Sequence, residues 1–297
     1  MLKNLDYRMT WRENFILGGT GTLGEALIKK LGDKNCVVFS RDELKQANLK
    51  KKYPEIGTML GDIRDYSSIE NALKVCQPSR IFHVAALKHV DLLEENPEEA
   101  FKTNVLGTIN AYKAAISLDN SCSFYFSSTD KAVLPINAYG MSKALAEKYL
   151  LSMSSKYDYL PYTLVFRWGN IVGSRGSVIP HFAKSLVEKQ IAYVTDTSMT
   201  RFWLRIEDAL DFMLSDLGEG KVHIPEMKSA SVINLVAAIA EVLDIKEYAI
   251  ETIGIRPGEK IHECVYSDHN NCIRSDTAPK WTHQELMDLV KPILEDL

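Results

Sequence analysis

A tyrosine and a lysine four residues apart, Tyr139 and Lys143 in AYGMSKALAEKYL, are the first residues in the sequence that suggest chemistry. If this segment is helical, the two side chains lie on one face, a turn apart. An ammonium beside a phenol favours the phenolate, so we expect the pKa of Tyr139 to fall from its usual ~10 towards neutrality, where it can act as a base. An exposed helical pair without a role is the alternative.

An acid and a base, Asp130 and Lys131, stand side by side before that helix, after Thr129 and its hydroxyl. Oxidation and reduction alone need no such pair. An elimination does, because one group removes a carbon-bound proton and another protonates the departing hydroxyl. To act as the base, Lys131 needs a pKa lowered from ~10.4 by burial or by nearby positive charge, for example from Lys143. A surface ion pair is an equally weighted alternative.

A glycine-rich turn, GGTGTLG, follows the first apolar segment and opens a predicted helix over 22–31. Gly18, Gly21 and Gly24 form the pattern G-x-x-G-x-x-G. Glycine permits a tight turn and a close approach of the backbone to a pyrophosphate, and the helix N-terminus adds N–H groups and a favourable dipole. The pattern therefore predicts a dinucleotide-phosphate loop, with an ordinary glycine turn as the lesser alternative.

The end of the second apolar strand carries Ser40 and Arg41 before Asp42. NAD-selective proteins usually place an acid here for the ribose hydroxyls. A hydroxyl and a guanidinium suit a 2′-phosphate, so we expect NADP rather than NAD. The alternative is a solvated Arg41, with Asp42 on the ribose. Asp62 and Ile63 follow the third strand and either frame the adenine or form a plain surface turn.

The segments that must position these residues alternate between short apolar strands and helices. We predict strands over 15–17, 36–39, 80–86, 123–127 and 163–167, and helices over 22–31, 67–76, 97–117 and 138–157. This alternation predicts an α/β fold, a Rossmann-like doubly wound parallel sheet. The pattern becomes irregular past Trp168. We therefore expect a cofactor-binding domain over 1–167, with part of 200–220 returning to it, and a smaller α/β substrate-binding lobe over 168–297.

The composition excludes several classes of protein. The chain has 297 residues, 46% hydrophobic and 25% charged, which is typical of a globular protein. A net charge of −4 lacks the basic excess of a nucleic-acid binder. No stretch approaches the ~18–20 apolar residues of a membrane span, and the polar start has no signal-peptide core. We expect a cytoplasmic protein with neither a nucleic-acid partner nor a membrane segment.

The five cysteines are odd in number and include no C-x-x-C pair, which indicates reduced thiols. His262, Cys264, His269 and Cys272 cluster late in the chain, but their spacing matches no usual zinc pattern. We therefore predict no metal site.

Together and in this order, the motifs resemble the extended short-chain dehydrogenase/reductases, and specifically the soluble inverting UDP-N-acetylglucosamine 4,6-dehydratases of the pseudaminic acid pathway. The resemblance covers almost the whole chain through GGTGTLG, FSRDELKQ, GDIRD, HVAALKHV, ENPEEAFKTNVLGT, STDKAVLPINAYGMSK, FRWGNIVGSRGSVIPHF, TDTSMTRFW and IRPGEKIHE. Membrane-anchored relatives usually have Met where Tyr139 stands, so Tyr139 points to the soluble branch. Leu17 replaces a usual threonine and Asp91 a usual proline, both outside the catalytic set.

The resemblance implies an enzyme of glycan biosynthesis that uses tightly bound NADP to convert UDP-N-acetylglucosamine into a 4-keto-6-deoxy sugar nucleotide, with inversion at carbon 5. Tyr139, tuned by Lys143, takes the proton of the carbon 4 hydroxyl. Lys131 removes the proton on carbon 5, and Asp130 protonates the hydroxyl that leaves carbon 6. A homo-oligomer formed through helices of the Rossmann-like domain is also implied. The base of the nucleotide stays open between UDP and GDP.

The resemblance also implies the residues that bind the ligands. Those expected at the cofactor are Gly18, Gly21, Thr22, Leu23, Gly24, Ser40, Arg41, Asp62, Ile63, Ala85, Ala86, Lys88, Tyr139 and Lys143. Those expected at the nucleotide-sugar are Lys88, Asn170, Ser177, Val178, Arg201, Arg256 and Glu259. For the two arginines a structural ion pair is the alternative. Three other functions share the fold: a 4-epimerase, a 5,6-dehydratase and a non-catalytic NADP-sensing regulator.

Overall fold

The computed structural model describes residues 12–118, 121–156, 161–268 and 271–295. Strands and helices are numbered in chain order. The strands are β1 (Asn14–Leu17), β2 (Cys36–Ser40), β3 (Gly57–Leu60), β4 (Arg80–His83), β5 (Ser123–Ser127), β6 (Tyr162–Phe166), β7 (Asn170–Ile171), β8 (Ile191–Val194), β9 (Thr200–Leu204), β10 (Lys221–His223), β11 (Lys228–Ser231), β12 (Ala249–Thr252), β13 (Cys264–Ser267) and β14 (Cys272–Arg274). The helices are α1 (Thr22–Leu31), α2 (Glu43–Lys52), α3 (Tyr66–Cys76), α4 (Val90–Glu95), α5 (Pro97–Ala100), α6 (Gly107–Ile116), α7 (Ala138–Ser154), α8 (Val178–Lys189), α9 (Ile206–Met213), α10 (Val232–Val242) and α11 (His283–Glu295).

The large sheet has seven parallel strands in the order β10-β6-β5-β4-β1-β2-β3. Its central strands are buried on both faces. Phe15 and Leu17 of β1 pack with α3, α6 and α7, while Ile16 between them faces the layer that contains α1 and α9. Each such side chain contributes roughly 1.5–3 kcal/mol by burial. The predicted Rossmann-like doubly wound fold is confirmed.

The strand order places the chemistry-bearing segments side by side. The chain runs from β1 to β2 and β3 on one side and then crosses to β4 on the other side of β1. The connections that follow β1 and β4 therefore run in opposite directions, which opens a crevice at the carboxyl ends of these two strands. The glycine loop follows β1, Arg41 follows β2 and Thr129 follows β5. All of these segments therefore lie along one edge of the sheet.

The chain after Trp168 builds a second, smaller core and also returns to the large sheet. A three-stranded sheet, β11-β9-β7, packs with α8, α10 and α11 around side chains such as Trp203, Leu235 and Leu289. α9 packs against α1, and β10 extends the large sheet beside β6. The proposed division into two lobes therefore has to allow for these two returning elements.

Several elements differ from prediction. The strand predicted over 80–86 ends at His83. The unpredicted α2 has almost no amphipathic pattern in its sequence ELKQANLKKK, so periodicity gave no signal. The helix predicted over 97–117 contains a π-helical segment, Phe101–Leu106, between α5 and α6. α7 extends to Ser154, and its predicted end at 157 lies outside the described residues.

Two further observations concern what the described ranges contain. None of their helices is both long enough and apolar enough to cross a membrane. No cluster of three or more His, Cys, Asp or Glu side chains in these ranges has metal-binding geometry. His269 lies outside them.

Candidate active site

A cavity of about 950 Å³ opens at the carboxyl edge of the large sheet, between the two lobes. The predicted site residues that line it are Gly21, Thr22, Leu23, Arg41, Ala86, Lys88, Thr129, Lys131, Tyr139, Lys143, Asn170, Ser177 and Val178. Both lobes therefore contribute to one site.

The glycine loop has a shape that other residues cannot reproduce. Gly18 has φ +84°, and a Cβ there would lie 2.6 Å from the Cα of Ala85. A Cβ on Gly24 would lie 2.4 Å from the Cα of Gly19, so α1 packs directly on the loop. Gly21 occupies the N-cap of α1 and provides no capping side chain. The first N–H groups of the helix thus face the cavity edge, as an anionic group requires.

The end of β2 is positively charged towards the cavity. The Arg41 and Lys45 side chains both line it. Asp42 is engaged elsewhere: its carboxylate caps α2 by accepting the Lys45 backbone N–H at 2.9 Å. The Lys45 side-chain and backbone hydrogen bonds lower the pKa of Asp42. The alternative in which Asp42 binds the ribose therefore loses support.

Ser40, Asp62 and Ile63 are placed behind this edge. The Ser40 Oγ accepts from Gln46 Nε2 at 3.0 Å. Asp62 pairs with Arg64 at 2.8 Å and with Arg41 at 3.5 Å. Ile63 is buried. These three residues shape the rim, and the cavity itself is lined by others.

Tyr139 and Lys143 lie in the first turns of α7, whose N-cap Asn137 accepts the Gly140 N–H at 2.6 Å. Burial raises the pKa of Tyr139 to about 12, against the lowering effects of Lys131 and of a hydrogen bond with Thr129. The expected fall of the Tyr139 pKa towards neutrality is therefore wrong, and Lys131 is the cation that opposes the effect of burial.

Lys143 behaves differently from expectation. Its Nζ lies 4.0 Å from the centre of the Phe126 ring. Burial lowers the pKa of Lys143 to about 7, and the charge of Glu147 opposes that shift. Lys143 is therefore poised near neutrality, and no influence of it on the pKa of Tyr139 is resolved. The structure therefore does not show the expected lowering of the Tyr139 pKa by Lys143.

Asp130 and Lys131 form a buried charge cluster that sequence reasoning described only in part. The Lys131 Nζ lies 3.1 Å from the Asp130 Oδ1 and 3.3 Å from the Oε1 of Glu263. Glu263 belongs to the predicted motif IRPGEKIHE, but its role was missed because nothing local links it to Lys131. Thr129 donates to the Asp130 Oδ1 at 3.0 Å.

The charges around Lys131 shift its pKa in the direction opposite to the one predicted. Burial acts to lower the pKa of Lys131. The negative charges of Asp130 and Glu263 raise it by more, so the pKa lies above its ordinary value. The expected lowering of the Lys131 pKa is therefore wrong. Burial raises the pKa of Asp130, which favours its protonated form.

A second buried network supports the site from below. The Glu147 carboxylate forms a two-oxygen ion pair with the Arg167 guanidinium, with contacts of 2.6 and 3.0 Å. It also accepts the hydroxyl of Ser128. Ser127 accepts from the Trp168 indole at 2.8 Å. The Thr129 hydroxyl bonds within the site instead, to the Asp130 Oδ1 at 3.0 Å and to Tyr139.

The residues predicted to grip the nucleotide-sugar divide into two groups. Asn170, Ser177 and Val178 line the cavity, as does Lys88, whose pKa is lowered by burial and by Arg175. Arg175 was not predicted. Its backbone N–H donates to the Thr22 Oγ1 at 3.0 Å, so the smaller lobe contacts the start of α1.

Arg201, Arg256 and Glu259 are not among the residues that line the cavity. Arg201 is buried, and its Nη1 donates to the carbonyls of Thr200 and Ile261 at 2.8 and 3.0 Å. Arg256 is exposed, and Glu259 accepts its backbone N–H at 3.2 Å. Arg201 also lies 4.0 Å from Glu263, so the alternative of a structural ion pair describes it best. Glu259 contacts Arg256 through the Arg256 backbone.

Comparisons with known proteins agree with this geometry. The family model for polysaccharide biosynthesis proteins matches residues 15–284. An inverting UDP-N-acetylglucosamine 4,6-dehydratase of Campylobacter jejuni subsp. jejuni serotype O:2 is 36% identical over 269 residues, which cover 86% of this chain and 78% of that protein. A UDP-glucose 4-epimerase of Rickettsia conorii is 37% identical, over 85% of this chain and 76% of that protein. The X-ray structure of Pen from Bacillus thuringiensis has a TM-score of 0.85 and 31% identity, and covers 95% of this chain and 98% of that one. The chain therefore belongs to the polysaccharide biosynthesis protein family, within the extended short-chain dehydrogenase/reductases that its motifs resemble.

Proposed function

We propose that the protein is an NADP-dependent nucleotide-sugar 4,6-dehydratase that acts on UDP-N-acetylglucosamine and inverts carbon 5. The observation that carries this proposal is the acid–base pair Asp130 and Lys131, buried beside Tyr139 at the carboxyl end of β5. An elimination needs two proton-handling groups in addition to the tyrosine. The relative from Campylobacter jejuni is named for this reaction.

The residues at the cavity edge fit a nicotinamide dinucleotide. The uncapped N-terminus of α1 and the close-packed glycine loop suit a pyrophosphate. Arg41 and Lys45 at the end of β2 suit a 2′-phosphate, which favours NADP. When bound, the nicotinamide ring supplies the removal and return of a hydride, and all proton transfers fall to the protein.

The chain's own groups divide those proton transfers among three positions. Tyr139 takes the proton of the hydroxyl on sugar carbon 4. Once carbon 4 is a ketone, the hydrogen on carbon 5 is acidic, and Lys131 removes it after its own proton has passed to Asp130 across their 3.1 Å contact. Asp130, whose pKa is raised by burial, then gives that proton to the hydroxyl that leaves carbon 6 as water.

A 4-epimerase is the second candidate, because the relative from Rickettsia conorii, of similar identity, is named as one. An epimerase would use the cavity, Tyr139 and the cofactor in the same way. It has no leaving hydroxyl to protonate. A fully buried carboxyl with a raised pKa, as at Asp130, is therefore better explained by the dehydratase.

We also propose a homo-oligomer, supported by apolar side chains that the single chain leaves exposed. Phe101 and Leu106 of the π-helical segment and Met141 and Leu145 of α7 are all at least 39% exposed. The two elements are neighbours, so these side chains can be covered together by a second copy. Both elements belong to the helices expected to mediate oligomerisation.

The test is incubation of the purified protein with UDP-N-acetylglucosamine and a trace of NADP⁺ in heavy water, followed by mass spectrometry and proton NMR. We expect loss of one water, a new methyl signal and deuterium at carbon 5, and the ring coupling constants then report inversion. An unchanged mass with an altered carbon 4 signal would identify the epimerase. Turnover of GDP-N-acetylglucosamine in place of the UDP-sugar would correct the nucleotide.

The matched variant for this test is Tyr139→Phe. It removes only the phenolic oxygen, so NADP binding should persist while turnover falls by about 100-fold or more. Cofactor fluorescence measures the first quantity, and the NMR assay measures the second. Turnover that survives in this variant would contradict the proposed role of Tyr139.

A further inference from the structure

Glu263 lies in the site without a role in the chemistry described above. We propose that it is a positioning residue: its carboxylate, supplied by the smaller lobe, holds the Lys131 amine against Asp130 and determines how easily that amine gives up its proton. This inference rests on the proposed function and assigns a new residue to it.

The contacts of the Glu263 side chain are made in a nearly closed environment. Its Oε1 lies 3.3 Å from the Lys131 Nζ, which also lies 3.1 Å from the Asp130 Oδ1. The side chains of Glu263, Asp130 and Lys131 are 3%, 0% and 17% exposed. A charge so little hydrated is retained only if it is paired, and removal of one partner is felt strongly by the other.

The two carboxylates on Lys131 have opposite surroundings. Glu263 also faces Arg201, with Nε at 4.0 Å, and Lys260, with Nζ at 3.8 Å. Among the described residues, Lys131 is the one cation paired with Asp130, and the negative charge of Glu263 raises the pKa of Asp130. Burial raises the pKa of both, but the three cations lower that of Glu263 below its usual value, while that of Asp130 stays raised. Asp130 is therefore the proton carrier and Glu263 the permanent anion.

The groups that surround Lys131 determine whether its pKa rises or falls when the charge of Glu263 is removed. They are Asp130 from its own turn, Tyr139 from α7, Arg201 from β9 and Glu263 from the segment before β13. Of these, the permanent anion Glu263 holds the proton on Lys131, while Arg201 opposes it. Without the charge of Glu263, Lys131 loses its proton at lower pH.

The backbone of Glu263 is anchored independently of its carboxylate. Its N–H donates to the Ser275 Oγ at 3.0 Å, and its carbonyl accepts the Ser275 N–H at 2.9 Å. Ser275 Oγ in turn donates to the Thr200 carbonyl at 3.1 Å. A side-chain substitution at Glu263 therefore leaves the position of the segment supported.

The experiment compares the pH dependence of dehydratase turnover in the wild type and in Glu263→Gln, with NADP bound. We expect the limb that requires neutral Lys131 to move to lower pH by about one unit, because an opposite charge at this distance moves a pKa by roughly one to three. The plateau kcat should fall about 10-fold through lost positioning, with KM changed less than twofold.

Glu263→Asp keeps the charge and should restore the position of the limb. Glu251→Gln, on exposed β12, is the matched control and should match the wild type.

If the limb of the pH profile that requires neutral Lys131 lies at the same pH in Glu263→Gln as in the wild type, the proposal is overturned. A second measurement separates this inference from the proposed function. NMR of ¹⁵N-labelled lysine side chains in the NADP-bound protein, with Lys131 assigned through Lys131→Arg, should show the amine of Lys131 titrating at lower pH in Glu263→Gln. If that shift occurs but the wild type dehydrates no nucleotide-sugar, the function fails and the coupling stands. If the titration does not move, Glu263 does not control Lys131, whatever the turnover.

Discussion

At the scale of single residues, sequence identified the chemical groups but not their proton affinities. The spacing of Tyr139 and Lys143, and the adjacency of Asp130 and Lys131, were enough to predict one shared site. The predicted lowering of the Lys131 pKa was wrong because its strongest partners include Glu263, which reaches it only through the tertiary fold. Likewise Lys143 faces Phe126 and Glu147, which its own helix and a neighbouring strand supply. Local spacing places Glu147 one turn after Lys143, but it gives no information on Phe126 or on Glu263.

Arg41 provides a residue-scale prediction on cofactor choice. Arg41→Ala should weaken NADP⁺ binding about 10-fold, equivalent to ~1.4 kcal/mol, because a half-exposed guanidinium contributes a modest charge-assisted contact to a 2′-phosphate. NAD⁺ lacks that phosphate and should bind as it does to the wild type. Isothermal titration calorimetry with each cofactor measures both values.

The control for this prediction is Arg274→Ala on the exposed strand β14, where Arg274 pairs with Asp276. It removes the same charge from a residue that is not among those lining the cavity. An equal loss of affinity for NADP⁺ and NAD⁺ in Arg41→Ala would contradict the assignment of a 2′-phosphate to this position.

At the scale of elements, the parts with strong local signals were predicted and the parts stabilised by context were not. β1, the glycine loop and α1 follow from apolar runs and glycine spacing. The lysine-rich helix α2 is ordered instead by the Asp42 cap and by Gln46, whose Nε2 donates to the Ser40 and Met59 carbonyls at 2.8 Å. The π-helical segment also keeps the apolar spacing of an ordinary helix, so the sequence shows only one continuous element.

The glycine loop gives an element-scale prediction on stability. Gly18→Ala should lower the free energy of unfolding by about 3 kcal/mol, since left-handed backbone costs ~1–2 kcal/mol and the new methyl group would meet the Ala85 backbone at 2.6 Å. Gly254→Ala is a matched control, because Gly254 has φ +87° and nothing within 4 Å of an added Cβ. It should lose only the ~1 kcal/mol of backbone strain. Urea unfolding measures both, and equal losses would show that the contact with Ala85 is not tight.

At the scale of the whole molecule, the two lobes are joined by buried charge as well as by apolar packing. Glu263, from the smaller lobe, lies 3.3 Å from the Lys131 Nζ in the cofactor-binding domain. The sequence predicted the two lobes but not the contacts that join them. The irregular pattern past Trp168 has a physical origin: α9 and β10 return to the large sheet, so this stretch alternates between two cores.

Burial of titratable groups beneath the site predicts how global stability depends on pH. His83 is fully buried at the end of β4, with its Nε2 2.8 Å from the Thr108 Oγ1. Burial, and then the charge of Lys143, lower the pKa of His83 from 6.5 to about 3. Above pH 6.5 neither the folded nor the unfolded chain holds this proton. Below it the unfolded chain takes up a proton that the folded chain refuses, so stability falls as pH falls.

The wild type should therefore lose roughly 2 kcal/mol of unfolding free energy from His83 alone between pH 6.5 and 5, at ~1.4 kcal/mol per pH unit. His83→Gln keeps a hydrogen-bonding group for Thr108 and cannot titrate, so its stability should be nearly flat over this window. Urea unfolding at half-unit pH intervals measures the slope, above the range where most carboxylates titrate. His223→Gln is the control, since His223 is less buried and burial lowers its pKa less, so it should keep most of the wild-type slope. If His83→Gln retains the full slope, the proton uptake that destabilises the fold occurs at another group.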